Sequence, residues 1–249
     1  MNSIEYDIVI CLGPNDHSLF PKFIDNIRSN VMNTRSIYVI TPRKMIDTYL
    51  NHNLPVIYID ESIFPFSLEY INTLFNKPER SGWYLQQLIK LYAPILIDEM
   101  LDNFLILDAD LYFHKPVTFF ENNLIQFNTG TEYHIPYFDH MNKVHPSLTK
   151  NHSSSGICHL MPMKRKIIQS FIHMIEHFHA DTPAWKVILD CVSPNHYHAS
   201  GASEYEMLFT YTIQTFPEDC VIRPLKWQNT YNITNGYDGV YEAWHYYMR

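Results

Sequence analysis

Chemistry in this chain can be built around Asp108 and Asp110, which follow the apolar run Phe104-Leu105-Ile106-Leu107 and are separated only by Ala109. An extended backbone sends both carboxylates from one face, and Ala109 is too small to screen them. The run before them, opened by Asn103, is continuously apolar and bounded by polar residues, so it reads as a buried parallel strand. Ligands of open α/β sheets sit beyond the carboxyl ends of such strands. Two close carboxylates there repel unless a cation or protons lie between them, and a hard divalent ion that keeps positions for phosphate oxygens suits the place. The competing reading of this acid pair is a cap for a following helix.

Two further candidates come from residue type and spacing. Asp60 ends another short apolar run and is placed to hold a ribose or base, or to be a solvated loop acid. His173-Met174-Ile175-Glu176-His177 fits His-x-x-Glu-His, in which two His on one helix face hold zinc and the Glu is a base, giving a metallopeptidase as the rival function. With 14 His in the chain a chance pair is easy, and no second motif supplies a third ligand. His152 and His159 read first as hydrogen-bonded loop or core side chains and second as pocket lining.

The elements that must position these groups follow from periodicity. Residues 6–12, 36–41 and 56–59 read as buried strands, and the first ends in the turn Gly13-Pro14-Asn15-Asp16. Leu19, Phe20, Phe23, Ile24, Ile27 and Val31 recur at helical spacing. Pro42 opens a second helix carrying Met45, Ile46, Tyr49 and Leu50. Strand, helix, strand, helix, strand at this pace predicts a doubly wound, mostly parallel sheet. Residues 63–75 read as irregular. Residues 82–97 read as a helix with Leu85, Leu88, Ile89, Tyr92 and Ile95 inward, Gln86, Gln87 and Lys90 on the remaining surface, and a bend or end at Pro94. Residues 122–150 read as long loops with short strands, 157–161 as a strand, and 164–179 and about 204–214 as helices. Ser203 and Glu206 are spaced as a capping box. The aromatic tail from Pro224 reads as a segment wrapping over a pocket.

Composition bounds the function. At 249 residues and 46% hydrophobic content the chain can bury a large core, and its net charge of -8 with thinly spread Lys and Arg shows no footprint for nucleic acid. Four scattered cysteines, Cys11, Cys158, Cys191 and Cys220, form no Cys-x-x-Cys pair and are expected to be free thiols. The most apolar stretch is interrupted by charges, and the first ten residues lack a leader pattern, so a soluble cytoplasmic protein without an integral membrane segment is expected. Two glycosylation sequons, at Asn151 and Asn232, carry little weight in that setting.

The order of elements, with Arg80-Ser81-Gly82-Trp83-Tyr84-Leu85-Gln86-Gln87-Leu88-Ile89-Lys90, the Asp108-Ala109-Asp110 strand end and Ser200-Gly201-Ala202-Ser203-Glu204-Tyr205-Glu206, resembles glycosyltransferases of the GT-A fold, and among them small transferases of bacteria and large viruses. The resemblance implies a single GT-A-like domain over 1–249, with a Rossmann-type nucleotide-sugar-binding half (1–113) and an acceptor-binding half (114–249) around one mostly parallel sheet. It implies Mn²⁺ or Mg²⁺ held by Asp108, Asp110 and a C-terminal His, here His245, against the diphosphate of a nucleotide sugar, UDP being the commoner carrier. Donor contacts would come from Asp60, Gln86, Gln87, Ala109 and the segment Ser154-Ser155-Gly156, which stands where glycogenin-like members carry Asn-Ser-Gly or Asn-Ala-Gly. Lys90 would reach the phosphates or remain a surface lysine. Glu204 would take the proton of a glycan or glycoconjugate hydroxyl, or merely favour the positive helix end. A non-catalytic sugar-binding protein on the same fold is the third reading.

Overall fold

The computed structural model describes residues 4–50 and 53–244. Its centre is a five-stranded sheet in the order β3-β2-β1-β4-β8, from Ile57–Asp60 (β3), Thr34–Thr41 (β2), Tyr6–Cys11 (β1), Asn103–Leu107 (β4) and Leu160–Lys164 (β8). The first four run parallel, and β8 lies antiparallel to β4 with Leu107 opposite Leu160. Four strands thus come from the first 113 residues and one from the second half. Five of the six residues of β1, and Phe104 to Leu107 of β4, are buried, as expected of strands covered on both faces. Pro162 removes a ladder donor from β8, which the edge position tolerates. The chain is mixed α/β around a mostly parallel sheet.

Helices α1 (Phe20–Asn30) and α2 (Arg43–Leu50) link the first three strands. The side chains of Tyr49 and Leu50 lie outside the described residues. The stretch read as irregular contains α3 (Leu68–Leu74), started by the Ser67 hydroxyl accepting from Tyr70 N–H at 3.1 Å. Helix α4 (Ser81–Leu96) carries Pro94 in its last turn and closes with Ile97 N–H on Ala93 O. Its polar residues are not on a wet surface: Gln87 and Lys90 are each 3% exposed.

The second half holds more helix than its weak periodicity suggested. After β5 (Leu111–Phe113) closes the first half, the short strands of the second are β6 (Phe120–Glu121), β7 (Leu124–Phe127), β9 (Cys220–Ile222), β10 (Trp227–Asn229) and β11 (Tyr241–Ala243). Among them runs α5 (Ile135–Val144), followed by α6 (Arg165–Phe178), α7 (Ala184–Asp190) and α8 (Glu204–Thr215). The strand expected at 157–161 starts three residues later, because His159 has φ +66° and breaks the extended backbone. One apolar cluster runs from Tyr6 to Ala243 across both halves. The four cysteines are free. No helix among the described residues is long and apolar enough to cross a membrane.

Candidate functional site

Successive crossovers leave β1 in opposite directions, toward β2 on one side and β4 on the other, so the crevice between the carboxyl ends of β1 and β4 is the switch point of the sheet. Asp108 stands at that edge, its side chain 22% exposed. Its Oδ1 accepts from Lys90 Nζ at 2.6 Å and from the Tyr205 hydroxyl at 2.8 Å, while Oδ2 lies 3.1 Å from His159 Nδ1. The Asp108 N–H donates to His159 O at 3.0 Å, tying the two segments together. Lys90 also reaches Glu204 Oε1 at 2.8 Å and lies 4.4 Å from the centre of the Tyr205 ring. The site therefore draws on α4, the end of β4, the bend before β8 and the first turn of α8.

Burial sets the electrostatics, and the ion pairs reverse its usual effect. Desolvation alone would raise Asp108, but Lys90 and His159 outweigh it and hold the carboxyl well below its ordinary range. Burial likewise opposes the charged forms of Lys90 and His159, yet Asp108, joined for Lys90 by Glu204, pushes both above their usual values. Tyr205 is driven far up by burial and then by Asp108. Two carboxylates, Asp108 and Glu204, face the Lys90 ammonium, while Asp110 acts on His159 on the other side of Asp108.

Asp110 is 8% exposed, and its carbonyl accepts from Trp244 N–H at 2.9 Å. Antiparallel pairing of β11 on β5, Ala243 opposite Leu111, delivers the chain to that point. His245 is the next residue in sequence and lies outside the described residues. A carboxylate offers about four lone-pair positions. Three on Asp108 face Lys90, Tyr205 and His159, so one on Oδ2 remains for a ligand. Among the described residues, no group of three or more His, Cys, Asp and Glu is arranged to hold a metal.

Several expectations change. Glu206 does not fold back to complete a capping box: Ser203 caps α8 by accepting from Glu206 N–H, but the buried Glu206 carboxylate accepts from Ser155 Oγ at 2.6 Å, Gly156 N–H at 3.1 Å and Lys150 Nζ at 2.5 Å. The second N-terminal donor of α8, Glu204 N–H, goes instead to Gln87 Oε1 at 3.0 Å. Ser155 and Gly156 are thereby packed against α8, and a Cβ on Gly156 would lie 2.4 Å from Phe209 Cβ. Ser154 remains half-buried, its N–H on His152 Nδ1. Gln86 is half-buried on α4, and Ala109 is buried. Asp60 caps the short turn 61–63 by accepting from Ser62 N–H at 3.1 Å, three strands from Asp108. His173 and His177 stack on the exposed face of α6, but Glu176 Oε1 accepts from Ala184 N–H at 3.1 Å and starts α7, so the zinc-peptidase reading is not favoured.

Tyr205 was missed as a site residue, and His159, whose second reading was pocket lining, was not matched to Asp108. Tyr205 sits inside a segment the resemblance singled out, but nothing in the sequence marks the left-handed turn that aims His159 at Asp108. The tail does wrap the site: Trp227 stacks on Tyr241 with ring centres 5.7 Å apart and meets His159 edge-on at 5.3 Å. Tyr241 itself is core, with no exposure.

Residues 23–215 match the model of DUF6492, described as a family of unknown function. The chain belongs to the DUF6492 family. Comparison with curated proteins gives no match. Among solved structures, this DUF6492 chain is similar to mouse xyloside xylosyltransferase 1 in its apo form, with a TM-score of 0.49, 11% identity, and coverage of 91% of this chain and 88% of that one. It is also similar to the apo WbbM bifunctional glycosyltransferase, with a TM-score of 0.46, 13% identity and 92% of this chain covered, spanning 40% of the WbbM chain.

Proposed function

We propose that this protein is a metal-dependent glycosyltransferase that moves a sugar from a nucleoside-diphosphate carrier, UDP being the first to try, to a hydroxyl of a glycan or glycoconjugate. The observation that carries the reading is the buried Lys90–Asp108–Glu204 array at the switch point of the sheet, with Asp110 beside it. It agrees with the sequence resemblance to GT-A enzymes at the same three segments. Carboxylate oxygens are hard donors suited to Mn²⁺ or Mg²⁺, and Asp108, Asp110 and His245 would hold the ion. When bound, such an ion supplies positive charge against the departing diphosphate.

The chain's own residues do the rest. Lys90 is a fixed cation whose position is set by two acids, so it adds charge neutralisation without reorganising. Tyr205 and His159 hold the Asp108 carboxylate in one orientation, and Gln87 fixes the start of α8 and with it Glu204. Glu204 is the carboxylate we assign to accept the proton of the acceptor hydroxyl. Gln86, Ala109 and Ser154 border the donor, whereas Ser155, Gly156 and Glu206 keep that wall in place.

The test is thermal stabilisation by nucleoside diphosphates with and without Mn²⁺ or Mg²⁺, followed by a screen of nucleotide sugars for transfer. Stabilisation that requires the metal and disappears in Asp110→Ala is expected, with transfer falling by about a hundredfold or more. A wild-type protein that neither binds any nucleoside diphosphate with metal nor consumes any nucleotide sugar overturns the proposal.

A further inference from the structure

Arg80, Trp83, Gln87 and Lys90 recur at steps of three and four, so they lie along one face of α4 from just before its first turn to the buried array. Ten residues of helix span about 15 Å. At the inner end Lys90 is fully engaged by Asp108 and Glu204. Next outward, the Glu204 N–H fixes which way the Gln87 amide points, and the Nε2 of this 3%-exposed side chain makes no hydrogen bond among the described residues. At the outer end the Arg80 guanidinium lies 4.4 Å above the Trp83 ring, and its Nε has no hydrogen-bond partner there. No ion pair to Arg80 is present among the described residues, although the chain holds 26 acidic side chains.

The opposite wall of this rim is aromatic. Tyr133 is 72% exposed and packs edge-on against Phe138 at 4.9 Å; His134 packs against Tyr137 at 4.5 Å, and Tyr137 faces Trp83 at 6.5 Å. Both sides are braced to the loop that leads into Glu204: from the wall His134 Nε2 lies 2.9 Å from Ser200 O, and from α4 the Tyr84 hydroxyl meets His196 O, Ala199 O and Gly201 N–H. Flat rings with polar edges suit sugar faces, and a guanidinium without a carboxylate partner suits a planar or tetrahedral anion.

We propose that Arg80, Trp83 and the segment Tyr133 to Tyr137 form the acceptor subsite, and that it takes a saccharide bearing an anionic group. The sugar ring packs on the aromatic side chains, the anion pairs with Arg80, and Gln87 Nε2 is a donor further in, toward Glu204. A carboxylate and a phosphate share the required chemistry. The inference rests on the glycosyltransferase reading and deepens it by naming the acceptor class.

Uronosides, hexose phosphates and their neutral parent sugars are titrated by calorimetry into the full chain with and without a nucleoside diphosphate and Mn²⁺. Wild type is expected to bind a charged sugar at least tenfold more tightly than its neutral parent, selectivity among uronosides and phosphates identifying the anion. Arg80→Gln abolishes the preference, Arg80→Lys retains part of it, and Trp83→Ala weakens charged and neutral sugars alike. Stabilisation of these variants by nucleoside diphosphate with metal stays at the wild-type value. Equal binding of charged and neutral sugars by wild type, or loss of nucleoside-diphosphate binding in Arg80→Gln, overturns the subsite. Preserved discrimination in a protein that binds no nucleoside diphosphate supports the subsite while overturning the transferase reading.

Discussion

The two ends of the central strands each hold an aspartate beside a cation, and they hold it by different kinds of donor. At the amino end Asp7, fully buried on β1, accepts from Arg35 Nε at 2.9 Å and Nη2 at 2.5 Å, from Ser36 N–H at 3.1 Å and from Leu101 N–H at 2.7 Å. Four donors, two of them backbone, fill every lone-pair position. At the carboxyl end Asp108 is held by three side chains, stays partly open, and faces a residue in a left-handed conformation. Backbone donors and a bidentate guanidinium close a carboxylate into the frame, whereas side-chain donors from three elements leave it able to exchange partners. Strain of the kind His159 carries collects at functional places.

A cavity of about 370 Å³ opens near the amino end of β4, lined by Asp102, Asn103, Asn123, Lys164, Arg165, Lys166 and Gln169. Its cations are already engaged, Lys164 and Lys166 by Asp219 and Arg165 by the carbonyls of Pro94 and Met100.

The largest effect is expected of Asp7→Ala. It leaves the Ser36 and Leu101 N–H groups without their acceptor, while Arg35, 36% exposed and still on the Glu99 carbonyl, is screened by water; urea unfolding should show a loss of about 2–4 kcal/mol, and a loss below about 1 kcal/mol would mean the amino end is not the closed frame described. A smaller effect calibrates burial without ion pairing. His140, 2% exposed with Nε2 at 2.8 Å from Ile188 O, is pushed down to about 4 by burial, which the Ile188 contact only partly offsets. A depressed histidine binds its proton more readily when unfolded, so its contribution to stability is complete above pH 6.5 and is lost as pH falls toward 4. Between pH 7 and 5 that amounts to about 2 kcal/mol, and the urea midpoint of His140→Gln should fall less than that of wild type over this range.

The finest test returns to the carboxyl end. His159→Ala and His159→Gly both remove the contact to Asp108, but only Gly adopts φ +66° without a Cβ penalty. The Gly variant should be more stable than the Ala variant by about 1 kcal/mol in thermal or urea unfolding. Equal stability would show that the turn carries no strain.

Much of the first half was legible because its elements are local patterns. The apolar run ending at Asp108 became β4 over Asn103–Leu107, with Asp108 and Asp110 at the sheet edge where ligands sit. The capping residue Ser203 and helix α8 also followed from spacing. The second half was less readable, since α5 hides in a weakly periodic, His-rich stretch and is stabilised by what Tyr137, His140 and Met141 pack against.

By itself the sequence determined which residues bear charge, where apolar runs stop, and that two carboxylates leave one strand end together, because periods of two and of 3.6 residues are properties of the local chain. Only the tertiary structure decided that Lys90 is a buried bridge and not a surface lysine, that Glu206 braces Ser155 and Gly156, and that His159 reaches Asp108. Those pairings join residues 18 to 114 positions apart, and burial decides whether such charges attract strongly or are screened by water.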